Sequence, residues 1–172
     1  MSRLFTTPLA TPVATMGGIG FLRPASGTWG SAAAIPLAWV IHATMGFPGL
    51  VILTILAFGL GWWATGVHVR ATGSHDPSEV VIDEMVGQWI ALWPLSAGLW
   101  HAGVDPWIFP YPGWIGAFLM FRLFDIWKPG PVGWADRRED PFGVMMDDVI
   151  AGLLAAVVVA LAAAISHGAL GL

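Results

Sequence analysis

The sequence contains no cysteine and has few charged residues. Only 10% of its 172 residues are Asp, Glu, Lys or Arg, whereas these residues make up about 25% of a soluble protein. The absence of cysteine excludes a disulfide framework, a thiolate metal site and any phosphatase with a cysteine nucleophile. The net charge of −4 gives no basic surface for nucleic acid, so we expect no nucleic-acid partner.

Apolar residues, in contrast, make up 56% of the chain, more than a soluble core of this size needs. The excess predicts a surface that faces lipid. No formally charged residue occurs between Arg23 and Arg70, or in the segment 149–172. The N-terminal segment is interrupted by Pro, Thr and Gly and does not have the form of a cleavable signal peptide. We therefore predict an all-α polytopic membrane bundle that forms a single domain over residues 1–172.

Five hydrophobic segments are candidate transmembrane helices. The turn signal Pro48-Gly49 separates the first two and predicts a helical hairpin. The first arm of this hairpin is short and contains Pro36, which favours a kink or a tilt. The predicted spans are approximately residues 30–45, 49–67, 85–102, 107–127 and 149–172.

The charged residues gather on one side of this topology. If the N-terminus is cytoplasmic and the chain reverses at every span, all seven Lys and Arg residues lie inside, as the positive-inside rule requires. All the acidic residues except Asp105 lie there too. Because acids contribute little to topology, their co-location predicts a polar, ion-binding face on the cytoplasmic side of the membrane.

The first acidic cluster occupies residues 75–88 and leads into the third span. Asp76 and Glu79 fit the capping pattern of a helix start. Asp83 and Glu84 are then two turns inside this predicted helix, where a carboxylate is costly unless it is paired or bound to a cation. This cluster therefore contains two candidate metal ligands. His75, next to Asp76, is the one histidine placed to assist proton transfer.

The second cluster consists of Arg122, Asp125 and Lys128, at the end of the fourth span. Their spacing of three residues places them on one helix face. One interpretation is a series of ion pairs that closes the helix, and the other is a set of side chains that binds a phosphate. The sequence leaves both open.

Asp147 and Asp148 form the third cluster, at the predicted start of the fifth span. A helix N-terminus favours an acidic cap, which explains one of them. Adjacent carboxylates repel each other unless a cation lies between them or one is protonated. The segment 134–140, between the second and third clusters, is predicted to be a solvated loop.

A glycine-rich segment, residues 27–31, precedes the first span on the same face. Backbone amides and hydroxyl groups at a helix start can bind a phosphate, which makes Thr28 and Ser31 candidate phosphate ligands. An ordinary turn at the start of a helix fits the spacing equally well.

Taken together, these motifs resemble the phosphatidylglycerophosphatase A family of bacterial membrane phosphatases. The resemblance rests on GTWGS at 27–31, VIDEMVGQWI at 81–90, FRLFDIWKPGPVGWADRR at 121–138 and GVMMDDVIAG at 143–152. It implies a Mg²⁺-dependent enzyme that hydrolyses phosphatidylglycerophosphate to phosphatidylglycerol and phosphate at the cytoplasmic face of the bacterial inner membrane.

The resemblance also implies roles for the clustered residues. Mg²⁺ typically binds one or two protein carboxylates together with waters and substrate phosphate oxygens. The expected Mg²⁺ ligands are Asp83, Glu84 and Asp148, and the expected catalytic acids are these three with Asp147. The expected phosphate-binding residues are Thr28, Ser31, Arg122, Asp125 and Lys128. The attacking group is either a water or an aspartate.

Other functions make different predictions. A cation carrier or channel subunit would distribute acids through the depth of the bilayer, whereas here only His42 is deep in a span. A structural subunit that docks a partner would not need paired carboxylates at two helix mouths. A CDP-alcohol transferase would carry a repeated-aspartate motif that this sequence lacks. The sequence does not indicate an oligomeric state.

Overall fold

The computed structural model describes residues 3–73, 77–138 and 140–170. Within these residues the regular structure is entirely helical and contains no strand, as predicted. A short 3-10 helix, Ile19–Phe21, lies between the first two α-helices. The α-helices are α1 (Arg3–Ala14), α2 (Ser26–Thr72), α3 (Ile82–His101), α4 (Tyr111–Trp127), α5 (Pro131–Asp136) and α6 (Pro141–Leu170).

The long helix α2 is divided into two arms at Gly46. The backbone there has φ 66° and ψ −169°, which is not helical and which a residue with a side chain rarely adopts. A Cβ on Gly46 would also lie 2.0 Å from the Trp100 ring. The predicted break at Pro48-Gly49 is therefore two residues too late. Pro48 instead lies in the first turn of the second arm, where proline is well tolerated.

The two arms, residues 26–45 and 47–72, fold back in opposite directions, and both pack against α3. The first arm runs parallel to α3, because Gly30 adjoins Val81 at its start and Trp89 Nε1 donates to the Ala34 carbonyl 2.9 Å away further along. The first arm of the predicted hairpin is therefore a helix that packs along α3.

The second arm runs antiparallel to α3. Trp93 Nε1 donates to Thr54 Oγ1 across 3.4 Å, and the later Gly61 lies against Ile82 at the beginning of α3. Since Gly46 contacts Trp100 at the far end of α3, the turn of the hairpin lies at that far end. The starts of α2 and α3 consequently lie at the same end of the bundle.

The helices α4 and α6 pack against the remaining surface of α3, with α4 antiparallel and α6 parallel to it. A Cβ on Gly152 of α6 would lie 2.4 Å from the Gly87 carbonyl oxygen of α3. A Cβ on Gly87 would in turn lie 2.4 Å from Phe121 of α4 and 2.6 Å from the Asp148 carbonyl oxygen. Glycine at both positions therefore permits a close three-helix crossing, one turn below the acidic residues of α3.

The start of α3 lies later than the sequence predicted. Residues 77–81 form a turn, in which the Val81 amide donates to the Ala14 carbonyl of α1 across 2.9 Å. Asp83 and Glu84 therefore occupy the first turn of α3 and are not two turns inside a helix. Glu79 does not take part in a capping box with the helix and instead contacts His68 at 3.2 Å. The predicted roles of His75 and Asp76 lie outside the described residues.

The start of α6, in contrast, lies earlier than predicted. The helix begins at Pro141, and Asp140 accepts a hydrogen bond from the Gly143 amide at 2.6 Å. Asp140 therefore supplies the acidic cap at this helix start. Asp147 and Asp148 are almost two turns inside α6, so a capping role explains neither of them.

The N-terminal helix α1 was not expected from the sequence. It packs on the second arm of α2, where Thr11 Oγ1 hydrogen-bonds with His68 Nδ1 at 3.1 Å, and its Ala10 and Ala14 are buried. Pro8 and Pro12 lie within it, although interior proline normally disfavours a helix. Together with Val81, α1 holds the turn that leads into α3.

Two described helices are long and apolar enough to cross a membrane, namely Ser26–Thr72 and Pro141–Ser166. Large apolar side chains such as Leu60, Leu161 and Ile165 are mostly exposed on them. The predicted count of five spans depends on dividing α2 at Gly46 and on counting the shorter helices α3 and α4 as well.

Candidate active site

One end of the bundle collects the charged side chains that the sequence singled out. The first turns of α2 and α3, the end of α4 and the second turn of α6 meet there, because α2, α3 and α6 begin at this end and α4 finishes at it. The helices bring together five carboxylates and two cationic side chains, namely Asp83, Glu84, Asp125, Asp147, Asp148, Arg122 and Lys128. The excess of carboxylates is the chemical feature that requires explanation.

Three of these carboxylates are arranged to hold a cation. Asp83, Glu84 and Asp148 each contribute one oxygen, and these three oxygens lie within 4.8 Å of one another. Asp83 and Asp148 are buried. Buried Oε2 of Glu84 and Oδ1 of Asp148 have no hydrogen-bond partner among the described residues. Buried carboxylates without a counter-charge are strongly disfavoured, so the cluster fits a hard divalent cation with oxygen ligands.

Arg122 of α4 lies beside this cluster and connects it to α2. Its Nη1 pairs with Asp125 at 2.6 Å and donates to Ser31 Oγ across 3.5 Å. The side chains of Arg122 and Asp125 are each only 15% exposed, and buried Nε of Arg122 has no partner among the described residues. The Asp125 carboxyl group also adjoins that of Asp148. Arg122 therefore keeps a free donor next to the acids, as a phosphate-binding arginine needs.

Gly27 allows the start of α2 to approach the acids. A Cβ at this position would lie 2.1 Å from Glu84 Oε1 and 3.1 Å from Arg122 Nη1. The segment 27–31 thus allows α2 to lie close to the acids, but it does not form a phosphate-binding loop. The amides of Thr28 and Trp29 are already used, because both donate to the Ala25 carbonyl at the start of the helix. The Ser31 hydroxyl donates to the Gly27 carbonyl at 2.9 Å.

Thr28 and Ser31, which the sequence paired, have different surroundings. Ser31 is fully buried and adjoins Arg122. Thr28 is half-buried in the first turn of α2, and the hydrogen bonds of the described part of the chain include none between its hydroxyl group and the acids. The geometry thus supports Ser31 as part of the site and gives no such support for Thr28.

Lys128 lies at the edge of the site, just after α4, and joins it to α5. Its Nζ pairs with Asp147 at 3.0 Å and also with Asp136. Burial by itself would lower the pKa of Lys128, but these carboxylates outweigh it and raise the pKa above its usual value. Lys128 therefore stays protonated. The predicted helix-face series holds for Arg122 and Asp125 only, because Lys128 pairs across helices.

Asp147 differs from the three clustered acids because it already has a cationic partner. Its Oδ2 accepts from Lys128, and its Oδ1 accepts from the Asp148 amide at 3.0 Å. Asp136, which pairs with Lys128, belongs to the segment that the sequence predicted to be a solvated loop. No spacing rule links residues 128, 136 and 147, so only the fold reveals this connection.

Comparison with known proteins gives consistent matches. The family model of phosphatidylglycerophosphatase A matches residues 12–163. A phosphatidylglycerophosphatase A of Haemophilus influenzae is 37% identical over 143 residues, which cover 83% of this chain and 81% of the relative. One from Escherichia coli is 32% identical over 141 residues, covering 81% and 74% respectively.

A third relative has a different name. A protein of Bacteroides thetaiotaomicron, provisionally named a phosphatidylinositol-3-phosphatase, is 35% identical over 154 residues, covering 87% of this chain and 91% of the relative. No solved structure matches the chain. All three relatives are thus named as phosphatases of phospholipids, but their names give two different lipid headgroups.

Proposed function

The chain belongs to the phosphatidylglycerophosphatase A family and is a phosphatase, and on this premise we propose that it hydrolyses the terminal phosphate of phosphatidylglycerophosphate at a Mg²⁺ site. The observation that carries the proposal is the group of three carboxylates, Asp83, Glu84 and Asp148, two of whose buried oxygens lack a partner within the described residues. The donor set consists only of oxygens, which is the preference of Mg²⁺. Bound Mg²⁺ would neutralise the substrate phosphate and acidify a water.

The side chains of this protein would divide the remaining tasks. Arg122 would bind the phosphate with its free Nε donor, while Asp125 and Ser31 hold its guanidinium group in place. Lys128 would add a second positive charge at the edge, held by Asp147 and Asp136. Positioned charges of this kind are the main source of catalysis in phosphoryl transfer.

The location of the site suits a lipid substrate. The acids lie at one end of the helices, and the flanks of α2 and α6 expose apolar side chains, so a headgroup can reach the acids while the acyl chains stay in the leaflet. The competing function, a cation carrier or channel subunit, is not supported by the relatives, and it would need acids along the length of the helices. Of the acids that the structure describes, all but Asp105 lie at or beside one end of the bundle instead.

The test of the proposed substrate is phosphate release by the purified protein in detergent with Mg²⁺ present. We expect kcat/KM for phosphatidylglycerophosphate to exceed that for phosphatidylinositol 3-phosphate by about tenfold or more, a ratio that differential contacts with a headgroup readily produce. A clear preference for the inositol lipid would reject the proposed substrate while leaving the phosphatase class intact. Release from neither lipid would reject the proposed function.

We further propose five membrane crossings with the acidic end in the cytoplasm. The arms of α2 would be about 30 and 39 Å long at 1.5 Å per residue, each long enough to cross a hydrocarbon core of about 30 Å. Reporter fusions after Gly46, Gly73, Gly103 and Gly130 should be outside, inside, outside and inside. If the fusions after Gly46 and Gly73 report the same side, the arms of α2 do not both cross and the five-span topology is wrong.

A further inference from the structure

Gln88 of α3 is a fully buried polar residue whose amide group has no partner in the described part of the chain. Its side chain has 0% exposure, and neither Nε2 nor Oε1 makes a hydrogen bond with any described residue. Buried amide groups are nearly always hydrogen-bonded, because an unpaired one retains the full cost of its dehydration. An amide in the centre of a helical bundle that no described residue satisfies is therefore available to a bound ligand or to a water.

The position of Gln88 on α3 directs it toward the acidic site. It follows Glu84 by four residues, so the two side chains lie on the same helix face one turn apart. That face is turned toward α4 and the first arm of α2, because Glu84 meets Gly27 and Leu95, further along the same face, meets Gly113 of α4. Gln88 therefore lies directly below Glu84.

The neighbouring groups at this depth carry unused donors as well. Ser31 follows Gly27 by one turn in the parallel first arm, so it lies at about the depth of Gln88. Ser31 Oγ accepts a hydrogen bond from Arg122 Nη1, and Arg122 Nε is itself buried without a partner among the residues that the structure describes. Gln88 Nε2 and Arg122 Nε thus provide two unpaired donors below the carboxylates. A phosphoryl group has acceptor oxygens that suit both donors.

We propose that Gln88 is a further substrate-binding residue, whose amide nitrogen donates to an oxygen of the lipid's terminal phosphate while Arg122 holds another. This assignment rests on the proposed function, the hydrolysis of phosphatidylglycerophosphate at this site. It explains why a helix in an apolar bundle carries an amide that no residue of the described chain satisfies. The carboxylates can meet a phosphate only through a cation, whereas Gln88 can contact it directly.

The proposal predicts that Gln88→Met lowers activity but does not lower stability. Methionine has a similar length but no donor, so kcat/KM for phosphatidylglycerophosphate should fall about tenfold, which equals about 1.4 kcal/mol of transition-state binding. The melting temperature in detergent without ligand should stay the same or rise, because an unpaired buried amide has been removed. The stabilisation of the protein by inorganic phosphate, measured with Mg²⁺ present, should become smaller.

Leu92→Met is the matched control, since Leu92 is also fully buried on α3 and lies one turn beyond Gln88. It should keep wild-type activity and the wild-type response to inorganic phosphate. Gln88→Leu tests the same proposal with a second apolar side chain, in case Gln88→Met does not fold. The lipid assay reports the phosphate as part of a headgroup, and the inorganic phosphate assay reports the free anion.

Wild-type kcat/KM and wild-type phosphate stabilisation in a folded Gln88 variant would overturn the assignment and indicate that the amide binds a structural water. A lower melting temperature in both Gln88 variants, with the control unaffected, would also overturn it, because the amide would then support the fold. An inactive wild-type protein would be a separate result, since it would reject the proposed function itself.

Discussion

Replacement of Asp83, Glu84 or Asp148 by the matching amide is expected to lower phosphatase activity by about a hundredfold or more, the effect of losing a principal electrostatic contact in an active site. Each amide keeps the size of the side chain but removes a negative charge that a hard cation needs. Phosphate release from phosphatidylglycerophosphate at several Mg²⁺ concentrations measures the effect. Excess Mg²⁺ should partly restore the weakened variants, because the lost ligand lowers the affinity for the metal.

Asp140→Asn is the matched control for these three variants. Asp140 lies at the same end of the bundle as the three acids, but its side chain is about half exposed, pairs with Arg138 and caps α6. Asparagine is an equally good cap, so this variant should keep nearly full activity and stability. Full activity in Asp83→Asn, Glu84→Gln and Asp148→Asn would refute the proposed metal site, even if the protein remained a phosphatase.

Gly87→Ala and Gly152→Ala are expected to reduce both stability and activity, because the close crossing of α3 and α6 sets the position of Asp148 relative to Asp83 and Glu84. The added Cβ would lie 2.4 Å from Phe121 in the first variant and 2.4 Å from the Gly87 carbonyl oxygen in the second. Overpacking of this kind costs about 1 to 3 kcal/mol. Thermal unfolding in detergent and kcat of the folded fraction measure the two effects.

In Gly87→Ala and Gly152→Ala, the activity of the folded fraction should fall by about tenfold or more, since a displacement of about 1 Å in a catalytic group can cost roughly a hundredfold in rate. Gly98→Ala, on α3, is the control, because a Cβ there meets nothing within 4 Å and alanine is a better helix former than glycine. If Gly87→Ala and Gly152→Ala behave like Gly98→Ala, the crossing does not determine the geometry of the site.

The sequence predicted the family, the all-helical structure and the grouping of charged residues at one end of the bundle. The grouping of charged residues could be predicted for a physical reason. Charged side chains are costly in a lipid-facing helix, so their positions mark the ends of the apolar segments. Asp83, Glu84, Asp148 and Arg122 could therefore be identified as one group before any contact was known. The family match confirms the resemblance that their motifs indicated.

The positions at which the helices begin were harder to predict from the sequence. Pro48-Gly49 is a stronger turn signal than Gly46, but the contact of Gly46 with Trp100 decides the position of the break. The start of α3 is fixed by a hydrogen bond from Val81 to α1, a helix that was not predicted. Local patterns cannot reveal constraints of this kind, because they arise from residues distant in the chain.

Partners that are distant in the chain were missed for the same reason. Lys128 was grouped with Asp125 by helical spacing, but its carboxylate partners, Asp136 and Asp147, lie on two other helices. The capping role of Asp140 was assigned instead to Asp147 or Asp148, because the apolar run that marks the fifth span begins later than the helix itself. Hydrophobicity locates the part of a helix that faces lipid and not its polar first turns.

The most direct measurement of the central claim is phosphate release from phosphatidylglycerophosphate by the purified wild-type protein, first after removal of divalent cations with a chelator and then after addition of Mg²⁺. If Asp83, Glu84 and Asp148 hold a Mg²⁺ that the reaction requires, activity should be lost in the chelator and return when Mg²⁺ is restored. Undiminished turnover in the chelator would contradict the account, because these buried carboxylates would then need another explanation.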